Sequence, residues 1–117
     1  MFRVARPSHF PGNLPAEATT FVGRRRELSE IRNRLARSRL VTLVGPGGVG
    51  KTRLGLRAGA DLRRGFADGA WFVELADVRD AGHLVDAVLA ALDLRDQAGS
   101  EPMQIVVAHL QDKELLL

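Results

Sequence analysis

One octapeptide constrains the fold of this chain more than any other feature. It occupies residues 45–52 and consists of Gly45, Pro46, Gly47, Gly48, Val49, Gly50, Lys51 and Thr52. This order matches the pattern G-x-x-x-x-G-K-[ST], a glycine-rich loop between a strand and a helix. An apolar, β-branched run at 39–44 precedes it, and a helical periodicity over about 52–66 follows it. The octapeptide therefore predicts a strand, a phosphate-binding loop and a helix in succession.

The residue types of the octapeptide suit a bound phosphate chain. Glycines adopt backbone angles closed to other residues, so consecutive N–H groups can turn inward around an anion. The start of the following helix adds unpaired N–H groups and a positive dipole end. Lys51 supplies a charge that can reach the β- and γ-phosphates, and Thr52 supplies a hydroxyl for a magnesium ion. These features predict a nucleotide and Mg²⁺ as ligands.

Composition excludes several other classes of protein. The 117 residues have room for about one domain. Because cysteine is absent, a disulfide framework and a cysteine-based metal site are excluded. No apolar run is long enough to cross a bilayer, and the first residues lack the apolar core of a secretory signal. These observations favour a cytoplasmic protein with no membrane contact.

The basic residues offer a second interpretation, a nucleic-acid surface. The net charge is +3, and the cations are 15 arginines and two lysines, with arginines clustered between positions 24 and 39. Glu27 and Glu30 interrupt the cluster, and no aromatic residue lies within it. A solvated helix face is therefore the favoured interpretation. The excess of arginine over lysine is typical of a GC-rich, bacterial coding sequence.

The periodicities predict an α/β fold with a parallel sheet flanked by helices. Residues 1–20 are predicted to be an extended or disordered linker, because Pro7, Pro11 and Pro15 recur there. Residues 21–117 are predicted to be the N-terminal portion of a P-loop NTPase domain. The predicted helices span about 25–38, 52–66, 81–92 and 101–112, and further strands lie at 70–75 and from 115 onward.

The order of the motifs resembles a known family. Asn13-Leu14-Pro15 leads into Phe21-Val22-Gly23-Arg24, followed by the octapeptide, the segment 68–76 and the segment 113–117. Together they resemble the start of the AAA-like ATPase module in bacterial STAND-type signalling ATPases, relatives of NB-ARC domains. The nearest pattern is that of large LuxR-type and SARP-type transcriptional regulators.

The resemblance implies a ligand and a set of contacts. The ligand is ATP or ADP with Mg²⁺, and the rest of a larger regulator is the partner, with DNA bound only through domains absent here. Phe21, Val22, Gly23 and Arg24 match the segment near the adenine and sugar, where Arg24 either contacts phosphate or fixes the loop. Arg53 is the residue usual after the loop in this family.

The chain also departs from the family pattern. In the family, the strand that starts at Leu115 continues into an acidic (Walker B) motif that holds magnesium, and this sequence ends at Leu117. We therefore expect a truncated module without a catalytic residue of its own, in which strand 40–44 lacks at least one of its native partner strands. Three alternatives are a non-catalytic remnant, an adaptor or DNA-binding fragment of a regulator, and a hydrolase competent on its own.

Overall fold

Helices make up the regular structure of the described part of the chain. The computed structural model describes residues 11–16, 23–47, 50–95 and 98–117. Its helices are α1 (Arg25–Leu35), α2 (Lys51–Leu62) with a 3₁₀ turn at Arg63–Gly65, α3 (Ala81–Ala91) and α4 (Pro102–Leu110). Each α-helix lies where the apolar periodicity predicts one, and each ends earlier than predicted. No helix in these ranges is long and apolar enough to cross a membrane.

The predicted α/β fold with a parallel sheet is wrong for the described part of the chain, which contains no strand. Residues 40–46 are irregular, and no backbone–backbone hydrogen bond joins them to another described segment. Val41 and Leu43 are half-buried, whereas Leu40 and Val44 are 82% and 90% exposed. A strand needs a neighbour about 4.8 Å away to pair its backbone groups. This run has the composition of a strand but no such neighbour among the described residues.

Between distant described segments, the β-bridges lie at Ala70, and one further backbone bond joins the Asp68 N–H to the Glu114 carbonyl at 2.8 Å. Ala70 bridges Gly12 on one side and Leu116 on the other, both in parallel orientation. The Trp71 N–H donates to the Leu116 carbonyl at 2.8 Å on the second side. The two later strands predicted from the sequence are therefore reduced to isolated bridges, which join three distant segments at one point.

One cluster of buried side chains lies between α1 and α2. Ile31 of α1 and Leu54 and Ala58 of α2 are buried there, and half-buried leucines surround them at positions 28, 35 and 43. Burying a side chain as large as leucine or isoleucine contributes about 1.5–3 kcal/mol. Because Leu54 lies in the first turn of α2, this packing fixes the start of that helix.

Asp80 caps α3 and makes the stability of that helix depend on pH. Its Oδ1 accepts the His83 backbone N–H at 2.9 Å, and its Oδ2 lies 2.7 Å from His83 Nδ1. Two hydrogen bonds lower the pKa of Asp80 below its ordinary value of 3.8. The bond from the His83 backbone N–H has the larger effect, and the bond with the His83 side chain has the smaller one. The capping contribution is therefore complete above the ordinary pKa and is lost as the pH falls through the lowered pKa.

We expect this loss to appear in thermal unfolding followed by circular dichroism, as a midpoint that falls at acid pH. Asp80→Ser is the matched control, because serine also caps helices but does not titrate in this range. The difference in unfolding midpoint between the parent and Asp80→Ser should shrink as the pH falls below the ordinary pKa of Asp80. A difference that stays constant across the acid range would contradict the assignment.

Candidate functional site

The octapeptide enters α2 through a left-handed glycine. Gly50 has a φ of +83° and is the N-cap residue, with no side-chain cap bond. An L side chain would be strained in this conformation, so glycine is required here. Gly45, Pro46 and Gly47 precede it on the exposed surface. The first N–H groups of α2 therefore lack a side-chain cap and lie at the positive end of the helix.

Lys51 folds back over the loop that precedes it. Its ammonium Nζ donates to the Gly45 carbonyl at 2.6 Å and to the Pro46 carbonyl at 2.7 Å. An ammonium carries three donors, so these two bonds leave one donor for another acceptor. The side chain thus places a cation at the entrance of the loop.

Arg24 brings a second cation to the same place. A β-carbon added to Gly50 would lie 3.8 Å from Arg24 Nη2, so the guanidinium is beside the start of α2. Arg24 and Lys51 line one cleft of about 620 Å³, together with Gly45 and Pro46. A volume of this order suits a small-molecule ligand.

The charges around this cleft favour an anion at the end of the cleft where the loop meets α2. The first turn of α2 contains no acidic residue, and two cations meet its positive dipole end. Glu27 and Glu30 line the cleft farther along α1, and Glu30 Oε1 is paired with Arg34 Nη2 at 3.0 Å. The positive field is therefore strongest where the loop meets α2. The Glu30–Arg34 pair also interrupts the basic face of α1, as the solvated-face interpretation expects.

The remaining predicted residues are placed less closely together. Thr52 and Arg53 are exposed in the first turn of α2, and Thr52 lines a second, mostly apolar cleft of about 310 Å³ rather than the first. Gly23 is exposed with a φ of +89°. Four predicted residues lie outside the described part of the chain: Phe21, Val22, Gly48 and Val49. The structure thus places Arg24, Gly45, Pro46 and Lys51 around the first cleft, next to Gly50. The Thr52 side chain lines the second cleft instead.

Comparison with known proteins identifies the family. A sequence profile of the AAA ATPase domain matches residues 20–116, which is more than half of the chain. The chain belongs to the AAA ATPase domain family. The octapeptide and the cleft beside it therefore lie within the matched AAA ATPase domain.

Curated relatives of this AAA ATPase domain include bacterial regulators. An uncharacterised protein of Mycobacterium tuberculosis is 41% identical over 99 residues, which are 85% of this chain and 25% of that protein. A protein of the same organism named as an HTH-type transcriptional regulator is 38% identical over 85 residues, 71% of this chain and 9% of its own length. The regulatory protein AfsR of Streptomyces griseus is 33% identical over 97 residues, 75% of this chain and 10% of its own length.

The match to this chain spans a quarter or less of the length of these relatives. The predicted relation to ATPase modules of bacterial regulators is confirmed at this level. No solved structure matches the chain.

Sequence reasoning missed two features of the site in this AAA ATPase domain. The first is the acidic lining of the cleft by Glu27 and Glu30, whose sequence positions indicate only an interruption of the arginine cluster. The spacing of Glu30 and Arg34, four residues apart on a helix, is the signal that predicts their pairing. The contacts of Lys51 with two loop carbonyls carry no sequence signal, because they depend on how the loop turns.

Proposed function

We propose that this chain is the nucleotide-binding part of a STAND-type signalling ATPase, related to NB-ARC domains, within a cytoplasmic bacterial transcriptional regulator. The observation that carries the proposal is the Lys51 ammonium at the loop entrance, beside Arg24 and the uncapped start of α2. Membership of the AAA ATPase domain family and the regulators among the relatives support it. The ligand is ATP or ADP, and any DNA is bound by other domains of the regulator.

The groups at the loop share the binding of the nucleotide in this proposal. Backbone N–H groups of residues 45–50 and the start of α2 bind the phosphates. The ammonium of Lys51 binds the β- and γ-phosphates, and Arg24 contacts phosphate or fixes the loop. The segment 21–24 lies near the adenine and sugar, and Arg53 supports the loop from the first turn of α2.

The residues present fit a magnesium ion in part. Thr52 is exposed in the first turn of α2, next to Lys51, but its side chain lines the second cleft, so it would have to turn toward the loop to meet an ion that arrives with the nucleotide. Among the described residues, no group of three or more histidine and carboxylate side chains could hold a metal ion. Magnesium ordinarily keeps several waters and binds phosphates with one or two protein oxygens. Thr52 would supply one of those oxygens, and the ion would neutralise phosphate charge.

The function proposed for the chain is binding, with no residue assigned to catalysis. Phosphoryl transfer to water needs a positioned metal and a positioned nucleophile, and the described site offers one hydroxyl for the metal. In the full regulator, the bound nucleotide would set the balance between an inactive and an active assembly, because a ligand shifts a conformational equilibrium by its difference in affinity for the two states.

The test is a titration of the 117-residue chain with labelled ATP and with labelled ADP, at fixed salt and magnesium, by equilibrium dialysis. We expect saturable binding at one site and competition by excess unlabelled nucleotide. The absence of saturable binding for both nucleotides would refute the proposal and favour a non-binding remnant. Retention on duplex DNA that ATP does not change would favour the DNA-binding alternative.

Thr52→Ala should remove the magnesium dependence of ATP binding. If the hydroxyl binds the ion, the parent binds ATP more tightly with magnesium than with a chelator, and this variant loses most of that difference. Thr52→Ser is the matched control, because it keeps the hydroxyl at the same position. Equal magnesium dependence in the parent and the alanine variant would exclude Thr52 as a ligand.

A further inference from the structure

A short segment before the matched AAA ATPase domain is built into the described structure. Residues 11–16, here called the N-terminal strap, precede the match at 20–116. Gly12 forms a parallel bridge with Ala70, and the Ala70 N–H donates to the Pro11 carbonyl at 3.3 Å. The strap therefore makes specific contacts with a segment that lies almost sixty residues away along the chain.

Asn13 makes the most specific contacts of the strap. Its side-chain oxygen accepts the Phe72 N–H at 2.6 Å, and its amide nitrogen donates to the Phe72 carbonyl at 2.9 Å. The same nitrogen donates to the carbonyl of Ala91, the last residue of α3, at 3.2 Å. The last carbonyls of a helix have no partner within the helix, so Asn13 supplies one. One side chain thus joins the strap to the 70–72 segment and to α3.

Leu14, the next residue of the strap, contacts α2. A β-carbon added to Gly59 would lie 3.4 Å and 3.7 Å from the two Leu14 methyl carbons, so these methyls rest on the backbone of α2. Gly59 is buried and lies about 12 Å along α2 from Lys51, eight residues at 1.5 Å each. Because a helix moves as a rigid unit over this length, a shift at Gly59 is transmitted to the loop.

We propose that Asn13 is a positioning residue for nucleotide binding. Its three hydrogen bonds hold Leu14 against α2, and α2 carries Lys51 and Thr52, the last residues of the phosphate-binding loop. This inference rests on the proposed nucleotide-binding function. Asn13 does not touch the nucleotide; it raises the fraction of molecules in which the loop has the binding geometry.

Docking of the strap and binding of nucleotide affect each other in both directions. If docking of the strap favours nucleotide binding, then nucleotide binding must favour docking of the strap by the same factor. When the docked fraction falls, the apparent dissociation constant rises in inverse proportion. A tenfold lower docked fraction in Asn13→Ala therefore gives about tenfold weaker ATP binding.

The first measurement is ATP affinity for the full chain and two alanine variants. Asn13→Ala should bind ATP about tenfold more weakly than the parent. Asn33→Ala is the matched control, because Asn33 is an exposed asparagine on α1, and its affinity should equal that of the parent. Fluorescence of Trp71, the single tryptophan of the chain, reports folding in each variant.

The second measurement is hydrogen exchange of the strap amides with and without ATP. ATP should slow exchange at Gly12, Asn13 and Leu14 in the parent, and this effect should be lost in Asn13→Asp. That variant keeps an acceptor for the Phe72 N–H but replaces the donor to both carbonyls with a second acceptor. If Asn13→Ala fails to fold, the parent's response to ATP and Asn13→Asp still test the coupling.

The outcomes separate this proposal from the function on which it rests. A parent chain that binds no nucleotide overturns both. A parent that binds ATP, with a folded Asn13→Ala variant of equal affinity, overturns only the role of Asn13. Strap exchange that ATP leaves unchanged in a parent that binds ATP also overturns that role. If Asn13 only stabilised the fold, its substitution would lower the stability of the chain, but ATP would not change hydrogen exchange of the strap amides in the parent.

Discussion

Lys51→Ala is expected to weaken ATP binding by about 10- to 100-fold, measured by equilibrium dialysis at fixed salt and magnesium. Hydrogen bonds to charged groups contribute roughly 1.5–3 kcal/mol each, and about 1.4 kcal/mol corresponds to a tenfold change in affinity. The ammonium already lies at the loop entrance, so the side chain needs little reorganisation to reach a phosphate oxygen.

The bonds that Lys51 makes without nucleotide limit this effect. Its Nζ donates to the carbonyls of Gly45 and Pro46 at 2.6 and 2.7 Å. If phosphate replaces one of these bonds, the net gain is the difference between two charge-assisted bonds rather than the full strength of one. We therefore place the upper limit near 100-fold, which is about 2.7 kcal/mol.

The chain offers a matched control for this substitution. Lys113 is its other lysine, is exposed, and lies outside both clefts. Lys113→Ala removes the same side chain and the same charge, so general attraction of a polyanion changes equally in both variants. Equal losses of affinity in the two variants would show that Lys51 has no specific contact with nucleotide and would refute the loop assignment.

Gly69→Ala should destabilise the chain by roughly 2–5 kcal/mol, the largest effect expected for a single methyl group in this structure. Gly69 has a φ of +83°, and an added β-carbon would lie 1.8 Å from the Pro11 carbonyl oxygen. The left-handed backbone costs an alanine about 1–2 kcal/mol, and the overlap forces the strap to move away. Urea unfolding followed by Trp71 fluorescence measures the loss.

Gly99→Ala separates the two causes of this destabilisation. Gly99 has a nearly equal φ of +86°, and an added β-carbon would meet nothing within 4 Å. This variant should therefore show the backbone cost alone. If the two alanine variants lose equal stability, the strap does not lie against Gly69, and the contacts of Asn13 would be in doubt as well.

The helices could be predicted from the sequence because their signals are local. Leu28, Ile31 and Leu35 recur on one face of α1, and Asp80 carries the cap signal for α3. The sheet could not be predicted in the same way, because a strand also needs a paired neighbour elsewhere in the chain. The run at 40–44 has the required side chains, but its backbone meets no partner among the described residues.

The site was predictable to the extent that chemistry follows residue type. The order of glycines, Lys51 and Thr52 predicts which atoms are available to a phosphate chain. The approach of Arg24 to Gly50 depends on packing between α1 and α2, so only the resemblance to regulator ATPases pointed to it. The hydrogen bonds of the Asn13 side chain could not be predicted from the sequence, because their partners are backbone atoms of residues 59 and 78 positions away.

The exposure of Leu40 and Val44 has a consequence for how long the chain persists in a cell. Chaperones and proteases continuously act on chains that expose apolar, unpaired segments. At 82% and 90% exposure, these two side chains present such a segment even when the helices around it are folded. We therefore expect rapid turnover of the isolated chain, with abundance governed by quality control more than by synthesis.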